Sequence, residues 1–153
     1  MSVAFRRDSD EEHKEPRFEL PLPPGPNLVT ERGYELIKAR TEELEAAVLA
    51  AASEEQRAEL QRDLRYWRAR LATARVAPVP KGDSVAFGTR VILEQEGRVR
   101  HFTIVGHDEA DPASGLIAFA SPLARALMGA EAGEDITAPG SPQSVRVISI
   151  DRP

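Results

Sequence analysis

The feature that most constrains this chain is a pair of heptad-spaced series separated by a very short polar connection. The first series advances by alternating steps of four and three residues, through Ile37, Thr41, Leu44, Val48 and Ala51. The second repeats that spacing through Leu60, Leu64, Trp67, Leu71 and Ala74. Each series lies along one seam of an α-helix. Two seams of similar length joined by a short connection predict an antiparallel coiled-coil hairpin over residues 30–76, with arms of about 23 residues.

Two polar residues mark the starts of the predicted helices. Thr30 precedes the first, and its hydroxyl can accept a hydrogen bond from an amide two or three residues later. Ser53 with Gln56 three residues on is a capping-box signature. One continuous helix through Ser53 is the alternative, but its apolar stripe would then need a second copy of the chain. We therefore expect a hairpin with a turn just before Ser53, in a monomeric protein.

The segments on either side of the hairpin have a different composition. Residues 1–29 carry many acidic residues and end in Leu20-Pro21-Leu22-Pro23-Pro24-Gly25-Pro26. Prolines at this density favour an extended polyproline-type exit, and the polar part predicts a disordered tail. A docking peptide for a partner groove is the alternative. Residues 77–82, with two prolines and a glycine, are predicted to be a linker.

Residues 83–153 predict a small β-rich domain with one short helix, which makes the whole chain α+β. Five runs of β-branched and apolar residues are separated by turn signals: 89–93, 99–105, 116–119, 135–137 and 145–150. Glu96-Gly97 marks a hairpin turn between the first two. Ser121-Pro122 begins the helix, with serine as its cap and proline in the first turn. Gly129 is expected to end it.

Composition excludes several classes of function. The chain has no cysteine, which excludes disulfides, thiolate metal sites and cysteine nucleophiles. Its three histidines and its acidic residues show no zinc-site or catalytic spacing, so we expect no metal or cofactor of its own. The longest apolar run, residues 46–52, is far shorter than the ~20 residues that span a bilayer. No apolar segment follows Arg6 and Arg7, so we expect a cytoplasmic protein without a secretory signal.

Four stretches carry a resemblance to a known family. They are Leu-Val-Thr-Glu-Arg-Gly-Tyr at 28–34, Leu-Arg-Tyr-Trp at 64–67, Ile-Val-Gly-His-Asp-Glu-Ala-Asp at 104–111 and Ser-Pro-Leu-Ala-Arg-Ala-Leu-Met-Gly at 121–129. In these the sequence resembles the bacterial GreA/GreB transcription elongation factors, and within them the GreB branch. The resemblance implies an FKBP-like fold for the β-rich domain. It also implies docking of that domain at the rim of the RNA polymerase secondary channel, with the hairpin inside the channel and nucleic acid contacted only indirectly.

The resemblance assigns roles to two groups of residues. In the family, two acidic residues at the hairpin tip help hold a Mg²⁺ ion in the polymerase active site, so any Mg²⁺ would be shared with polymerase. The family's Gly-Asp-x-x-Glu-Asn-Ala tip motif has no counterpart here, and Glu54 and Glu55 are the candidates at the corresponding end. The candidates for polymerase docking are Asp108, Glu109, Asp111, Ser121 and Pro122. Solvated-turn, helix-dipole and helix-cap roles are the structural alternatives for these residues.

The missing tip motif leaves two mechanisms open. The protein either docks and modulates elongation without stimulating transcript cleavage, which we favour, or cleaves with Glu54 and Glu55 as substitute ligands. In both cases it is an accessory factor and not a complete enzyme. Two other functions are a generic coiled-coil interaction module and a prolyl isomerase, which would need an aromatic-lined pocket. From residue 83 onward the only aromatic residues are Phe87, Phe102 and Phe119.

Overall fold

The computed structural model describes residues 19–137, 140 and 142–152. They form a helical hairpin, made of α1 (Glu31–Leu49) and α2 (Glu54–Thr73), followed by a β-rich domain. The α+β fold class predicted from the sequence is confirmed. The helices have 19 and 20 residues, somewhat fewer than predicted, and at 1.5 Å per residue each arm is about 30 Å long.

The hairpin is held by the predicted seams and caps. Ile37, Thr41 and Leu44 of α1 are buried with Leu64 of α2, and the other seam residues described are half-buried. Burial of these apolar side chains against one another is what stabilises two helices that would be marginal alone.

Among the described residues, no helix is long and apolar enough to cross a membrane.

Both predicted N-caps are present. The Thr30 hydroxyl accepts from the Gly33 amide at 2.9 Å, and the Ser53 hydroxyl accepts from the Gln56 amide at 3.1 Å. The Gln56 side chain completes the second cap by accepting from the Ala52 amide at 2.9 Å. The Ala52 and Gln56 amides at the tight turn between the helices therefore have acceptors, which helps to hold the shape of the hairpin tip.

The hairpin base contains a short sheet that the sequence did not predict. β1 (Leu28–Val29) pairs in parallel with β2 (Arg75–Val76), and Val29 is buried. The backbone of Gly106 lies so close to this pair that a Cβ at position 106 would collide with the carbonyl oxygen of Leu28. The close approach therefore requires glycine. The predicted boundary of the disordered tail at residue 29 is therefore too late. The acidic part of that tail, within residues 1–18, lies outside the described residues.

The β-rich domain is a five-stranded mixed sheet in the order β5-β4-β3-β7-β6. Its strands are β3 (Arg90–Gln95), β4 (Arg98–Val105), β5 (Leu116–Ala118), β6 (Asp135–Thr137) and β7 (Ser144–Asp151). All five lie where the sequence predicted strands. The pair β3–β4 turns at Glu96 and Gly97, both with positive φ (51° and 77°), a geometry that suits the twist of a hairpin. β4 and β5 are parallel, whereas the other pairs are antiparallel.

The short helix α3 (Pro122–Leu127) covers one face of the sheet. Its Ser121 cap accepts from the Ala124 amide at 3.3 Å, and Ala124 and Leu127 are fully buried. They pack with the inward side chains of the central strands, which include Val91, Leu93, Phe102, Ile104, Val145 and Val147. Phe87 and Phe119 pack edge to face beside this core, with ring centroids 5.5 Å apart. All three phenylalanines of the domain thus belong to the core or its margin. The division into hairpin, linker 77–82 and β-rich domain stays a prediction.

Candidate functional site

Asp108 joins the β-rich domain to the hairpin. It lies in a single 3₁₀ turn after β4, and its carboxylate faces the last turns of α2. The Tyr66 hydroxyl donates to Oδ1 at 2.6 Å, and the Arg70 Nε donates to Oδ2 at 2.6 Å. The Arg70 and Asp108 side chains are only 5% and 4% exposed, so this is a buried ion pair. Separating such a pair would leave an uncompensated buried charge, so the pair favours this arrangement of the elements that it connects.

Asn27 completes this buried group from the chain that enters the hairpin. Its side-chain carbonyl accepts from Arg70 Nη2 at 2.8 Å, and its amide donates to the Arg70 carbonyl oxygen at 2.8 Å. The same amide lies 3.2 Å from the Thr73 hydroxyl, to which it donates. Asn27 and Arg70 are both buried polar residues whose donors and acceptors are matched to each other.

Glu109 makes a second connection, to the start of α1. The Thr30 hydroxyl donates to Oε1 at 2.6 Å, while the Arg32 Nη1 donates to Oε2 at 2.8 Å. The Glu109 side chain is 5% exposed, whereas that of Arg32 is 66% exposed. Gly33 leaves room for this carboxylate, since a Cβ there would lie 2.8 Å from Oε1. We call these two connections, made by Asp108 and Glu109, the junction.

The junction changes the acidity of Tyr66. Burial, and then the hydrogen bond to Asp108 and the charge of Asp108, raise the pKa of Tyr66 well above its ordinary value, against an opposing effect of Arg70. The phenol therefore remains protonated and donates to Asp108 throughout the physiological range. Its ring also packs edge to face on Trp67, with centroids 5.2 Å apart.

The remaining docking candidates lie apart from the junction. Asp111 is exposed, and its carboxylate accepts from the Ser114 hydroxyl at 2.8 Å. Ser121 is half-buried as the cap of α3, whereas Pro122 is exposed. The acidic loop is therefore not a solvated turn throughout. Asp108 and Glu109 bind the hairpin, and Asp111 is the carboxylate of this loop that faces solvent.

The hairpin tip is small and largely apolar. Leu49 is 87% exposed at the end of α1, and the neighbouring Ala50 and Ala52 are exposed as well. Glu54 and Glu55 follow in the first turn of α2, where carboxylates are favoured by the helix dipole. Glu54 pairs with Arg57 at 3.0 Å. Within the described part of the chain, no group of three or more histidine, cysteine or acidic residues is arranged to hold a metal ion.

Comparison with known proteins gives the family. The model of the C-terminal domain of the GreA/GreB transcription elongation factors matches residues 79–152. The GreA of Thioalkalivibrio sulfidiphilus is 35% identical over 106 residues, which cover 65% of this chain and 67% of that protein. The chain belongs to the GreA/GreB family. The relatives carry the GreA name, so the nearer likeness to the GreB branch stays a prediction.

Other GreA/GreB matches are shorter. The GreA of Desulfovibrio desulfuricans is 40% identical over 78 residues, so the matched part spans 48% of each chain, about half the length of that relative. The GreA of Nitratidesulfovibrio vulgaris is 37% identical over 105 residues, covering 65% of this chain and 66% of that protein. Among solved structures, GreA factor homolog 1 of Thermus thermophilus matches with 20% identity and a TM-score of 0.41, over 82% of this chain and 99% of that chain.

The sequence did not reveal three residues that form or support the junction. Arg70 follows the seam residue Trp67 by three positions, and Asn27 follows the proline-rich exit, so neither belongs to the apolar pattern. Their partners are 38 to 43 residues away in the chain, and periodicity does not encode such pairings. Arg32 lies within the stretch 28–34, but nothing in that stretch indicates that Arg32 contacts Glu109.

Proposed function

We propose that the protein binds RNA polymerase as an accessory factor and regulates transcription elongation. Membership of the GreA/GreB family, whose name is that of transcription elongation factors, supports this proposal. The observation that carries it is the junction. A buried ion pair and a buried glutamate attach a two-helix arm to the β-rich domain. Because the arm is attached to the β-rich domain, docking of that domain on polymerase would also position the hairpin.

In this proposal the β-rich domain docks at the rim of the secondary channel and the hairpin enters the channel. Asp111 and Pro122 are the docking candidates whose side chains face solvent, and Ser121 acts through the helix start that it caps. Asp108 and Glu109 contribute by holding the arm. With an arm of about 30 Å, the tip is the end of the hairpin that lies farther from the docked domain.

The chemistry of the tip favours modulation of elongation over transcript cleavage. A Mg²⁺ ligand must approach to about 2.1 Å, and a second catalytic metal is held by carboxylates that converge on one point. Here the farthest side chains are Leu49 and alanines, and the nearest carboxylates follow on α2. Adjacent helical residues point about 100° apart, so Glu54 and Glu55 do not converge while this turn stays helical.

Transcript cleavage with Glu54 and Glu55 as substitute ligands is the second candidate function. It is favoured by one observation: both side chains are exposed at the distal end of the arm. For this role the first turn of α2 would have to unwind, which would break the hydrogen bond from the Gln56 amide to the Ser53 hydroxyl.

A binding measurement with purified core RNA polymerase tests the proposal. The full chain is expected to be retained by immobilised core polymerase, and Asp111→Arg is expected to weaken retention. Glu131→Arg is the matched control, because it makes the same charge change at an exposed position that follows the C-terminal end of α3 and is not a docking candidate. Absence of retention for the unmodified chain would refute the proposal, and equal loss in both variants would refute the assigned docking surface.

A further inference from the structure

A cleft of about 670 Å³ lies between the hairpin base, the linker and the β-rich domain. Its volume is within the roughly 300–1,000 Å³ of sites that take ligands, and such sites often lie where two parts of a protein meet. Its apolar walls are formed by Pro78, Val79, Pro80, Phe87, Val105 and Leu116. An apolar surface of this kind with polar residues at its rim is typical of an interaction site.

The floor of the cleft is the face of the sheet that α3 does not cover. Ile104 and Ile117 point into the core, and successive side chains of a strand alternate between the two faces. Val105 in β4 and Leu116 in β5 therefore point to the opposite face, where they line the cleft. Val105 is fully buried there, whereas Leu116 is half-buried. Part of this floor is thus open to a partner.

The linker forms a wall of the cleft and is held at both ends. The Ala77 amide donates to the Val29 carbonyl oxygen at 2.9 Å. At the other end, the Arg152 guanidinium donates to the Lys81 carbonyl oxygen at 2.7 Å. Between these two points the Val79 residue is 63% exposed. Because the wall is already held in place, covering it costs a partner little ordering of this chain.

Covering the linker also leaves few polar groups unsatisfied. Proline has no amide hydrogen, so Pro78 and Pro80 have no donor that burial would leave without a partner. The Ala77 amide is already bonded, and the Val79 amide is the donor of this wall that has no partner among the described residues. Because an unsatisfied buried donor is costly, a wall with so few donors suits burial against apolar side chains.

The charged groups of the cleft indicate the charge of the partner. Arg32 is the cation among the lining residues, and its Nη1 is paired with Glu109 at 2.8 Å. Glu31 also lines the cleft, is exposed, and forms no ion pair within the described part of the chain. Asp111 adds a second exposed carboxylate beside the lining residue Ser114, from which it accepts. These carboxylates complement a cation.

We propose that this cleft receives a segment of RNA polymerase that carries a large apolar side chain beside a lysine or an arginine. The apolar side chain packs on Val79, Phe87 and Leu116, and the cation lies near Glu31 and Asp111. The inference rests on the proposed function, because it gives the chemistry of the partner that docks. An anionic segment is disfavoured, since it would face two carboxylates.

A partner in this cleft contacts the hairpin and the β-rich domain together. Glu109 lines the cleft and bonds to Thr30 and Arg32 of the hairpin base, so the site and the junction share a residue. A ligand that binds one arrangement of a protein in preference to another stabilises that arrangement. Docking through the cleft therefore favours the arrangement in which the junction holds the arm.

Variants at Val79 test the inference when the full chain is titrated onto immobilised core RNA polymerase. Val79→Asp removes the apolar contact and is expected to weaken binding about tenfold, the effect of losing one buried side chain of this size. Val79→Lys removes the same contact and also repels the cation of the partner. It is expected to bind roughly threefold more weakly than Val79→Asp.

Val99→Asp and Val99→Lys are the matched controls. Val99 is 56% exposed on β4 and does not line the cleft, so these variants make the same changes of charge and polarity elsewhere. Both are expected to bind within about twofold of the unmodified chain, as is usual for surface substitutions. Unchanged midpoints of urea unfolding in all four variants show that the fold is intact.

Three results would overturn the inference. Val79 variants that bind as well as the Val99 variants would show that the cleft takes no part in docking. Weaker binding by Val79→Asp than by Val79→Lys would show that the partner is anionic. Unchanged polymerase binding with altered sedimentation of the free Val79 variants would show that a second copy of the chain occupies the cleft. Failure of the unmodified chain to bind polymerase is a separate result, which refutes the proposed function and this inference with it.

Discussion

Removing the Asp108 carboxylate should release the hairpin from the β-rich domain. In Asp108→Ala the Arg70 guanidinium, 5% exposed, loses its anionic partner at 2.6 Å, and the Tyr66 hydroxyl loses its acceptor. A buried charge left without its partner typically costs about 3–5 kcal/mol. The hydrogen bond from Tyr66 contributes about 1 kcal/mol, which is small beside this cost. We therefore expect a total loss of about 3–5 kcal/mol in the free energy of unfolding.

Urea unfolding followed by the fluorescence of Trp67 measures this loss. Trp67 is the only tryptophan and packs on Tyr66, so its signal reports on the hairpin beside the junction. With a slope of about 2 kcal/mol per molar urea, the midpoint should fall by about 1.5–2.5 M. Amide exchange of β3 and β4 should be affected less, because their core does not include the junction.

Two further variants distinguish the loss of stability caused by breaking the junction from a general effect of removing a charge. Asp135→Ala removes the partner of Arg146 from a surface ion pair whose side chains are 52% and 58% exposed, and it should leave the midpoint almost unchanged. Arg70→Met combined with Asp108→Leu removes both buried charges and should recover part of the loss. If Asp108→Ala were no more destabilising than Asp135→Ala, the junction would not hold the two parts together.

Three other perturbations follow from single contacts. Gly106→Ala should destabilise the chain by about 1–3 kcal/mol in thermal or urea unfolding, because the new Cβ meets the Leu28 carbonyl, whereas Gly82→Ala, with its nearest neighbour 3.9 Å away, should not. The free energy of unfolding should fall as the pH rises above about 10, the ordinary pKa of tyrosine. The pKa of Tyr66 is raised in the folded protein, so above this pH the phenol ionises more readily in the unfolded chain. Tyr66→Phe should make the fall less steep when unfolding is measured as a function of pH. Ser53→Ala should cost about 1 kcal/mol and fray the tip, seen as faster amide exchange at the start of α2.

Local patterns predicted the elements, whereas the contacts between them needed the structure. The seams, the caps at Thr30 and Ser53 and all five strands of the β-rich domain follow from signals within a few residues of each other. Such signals are physical properties of short segments: helix periodicity, strand alternation and turn chemistry. They predicted the existence of the three helices and of these five strands correctly, and their ends to within a few residues.

The junction could not be predicted in this way. Asp108 and Glu109 read as an exposed acidic turn, because charged residues in a loop are usually solvated. Their burial depends on Arg70 and Thr30, which approach only after the hairpin has folded against the sheet. The pairing of β1 with β2 could not be predicted either, because it joins residues that are distant in the chain and a strand of two residues carries no recognisable pattern.

A transcript-cleavage assay tests the central claim most directly. A stalled, backtracked elongation complex is mixed with the full chain at concentrations that saturate its binding to core polymerase, and release of the 3′ RNA fragment is followed in time. We expect binding with no increase in cleavage over polymerase alone, and no change with Glu54→Ala/Glu55→Ala. Efficient cleavage that is lost in Glu54→Ala/Glu55→Ala would contradict it.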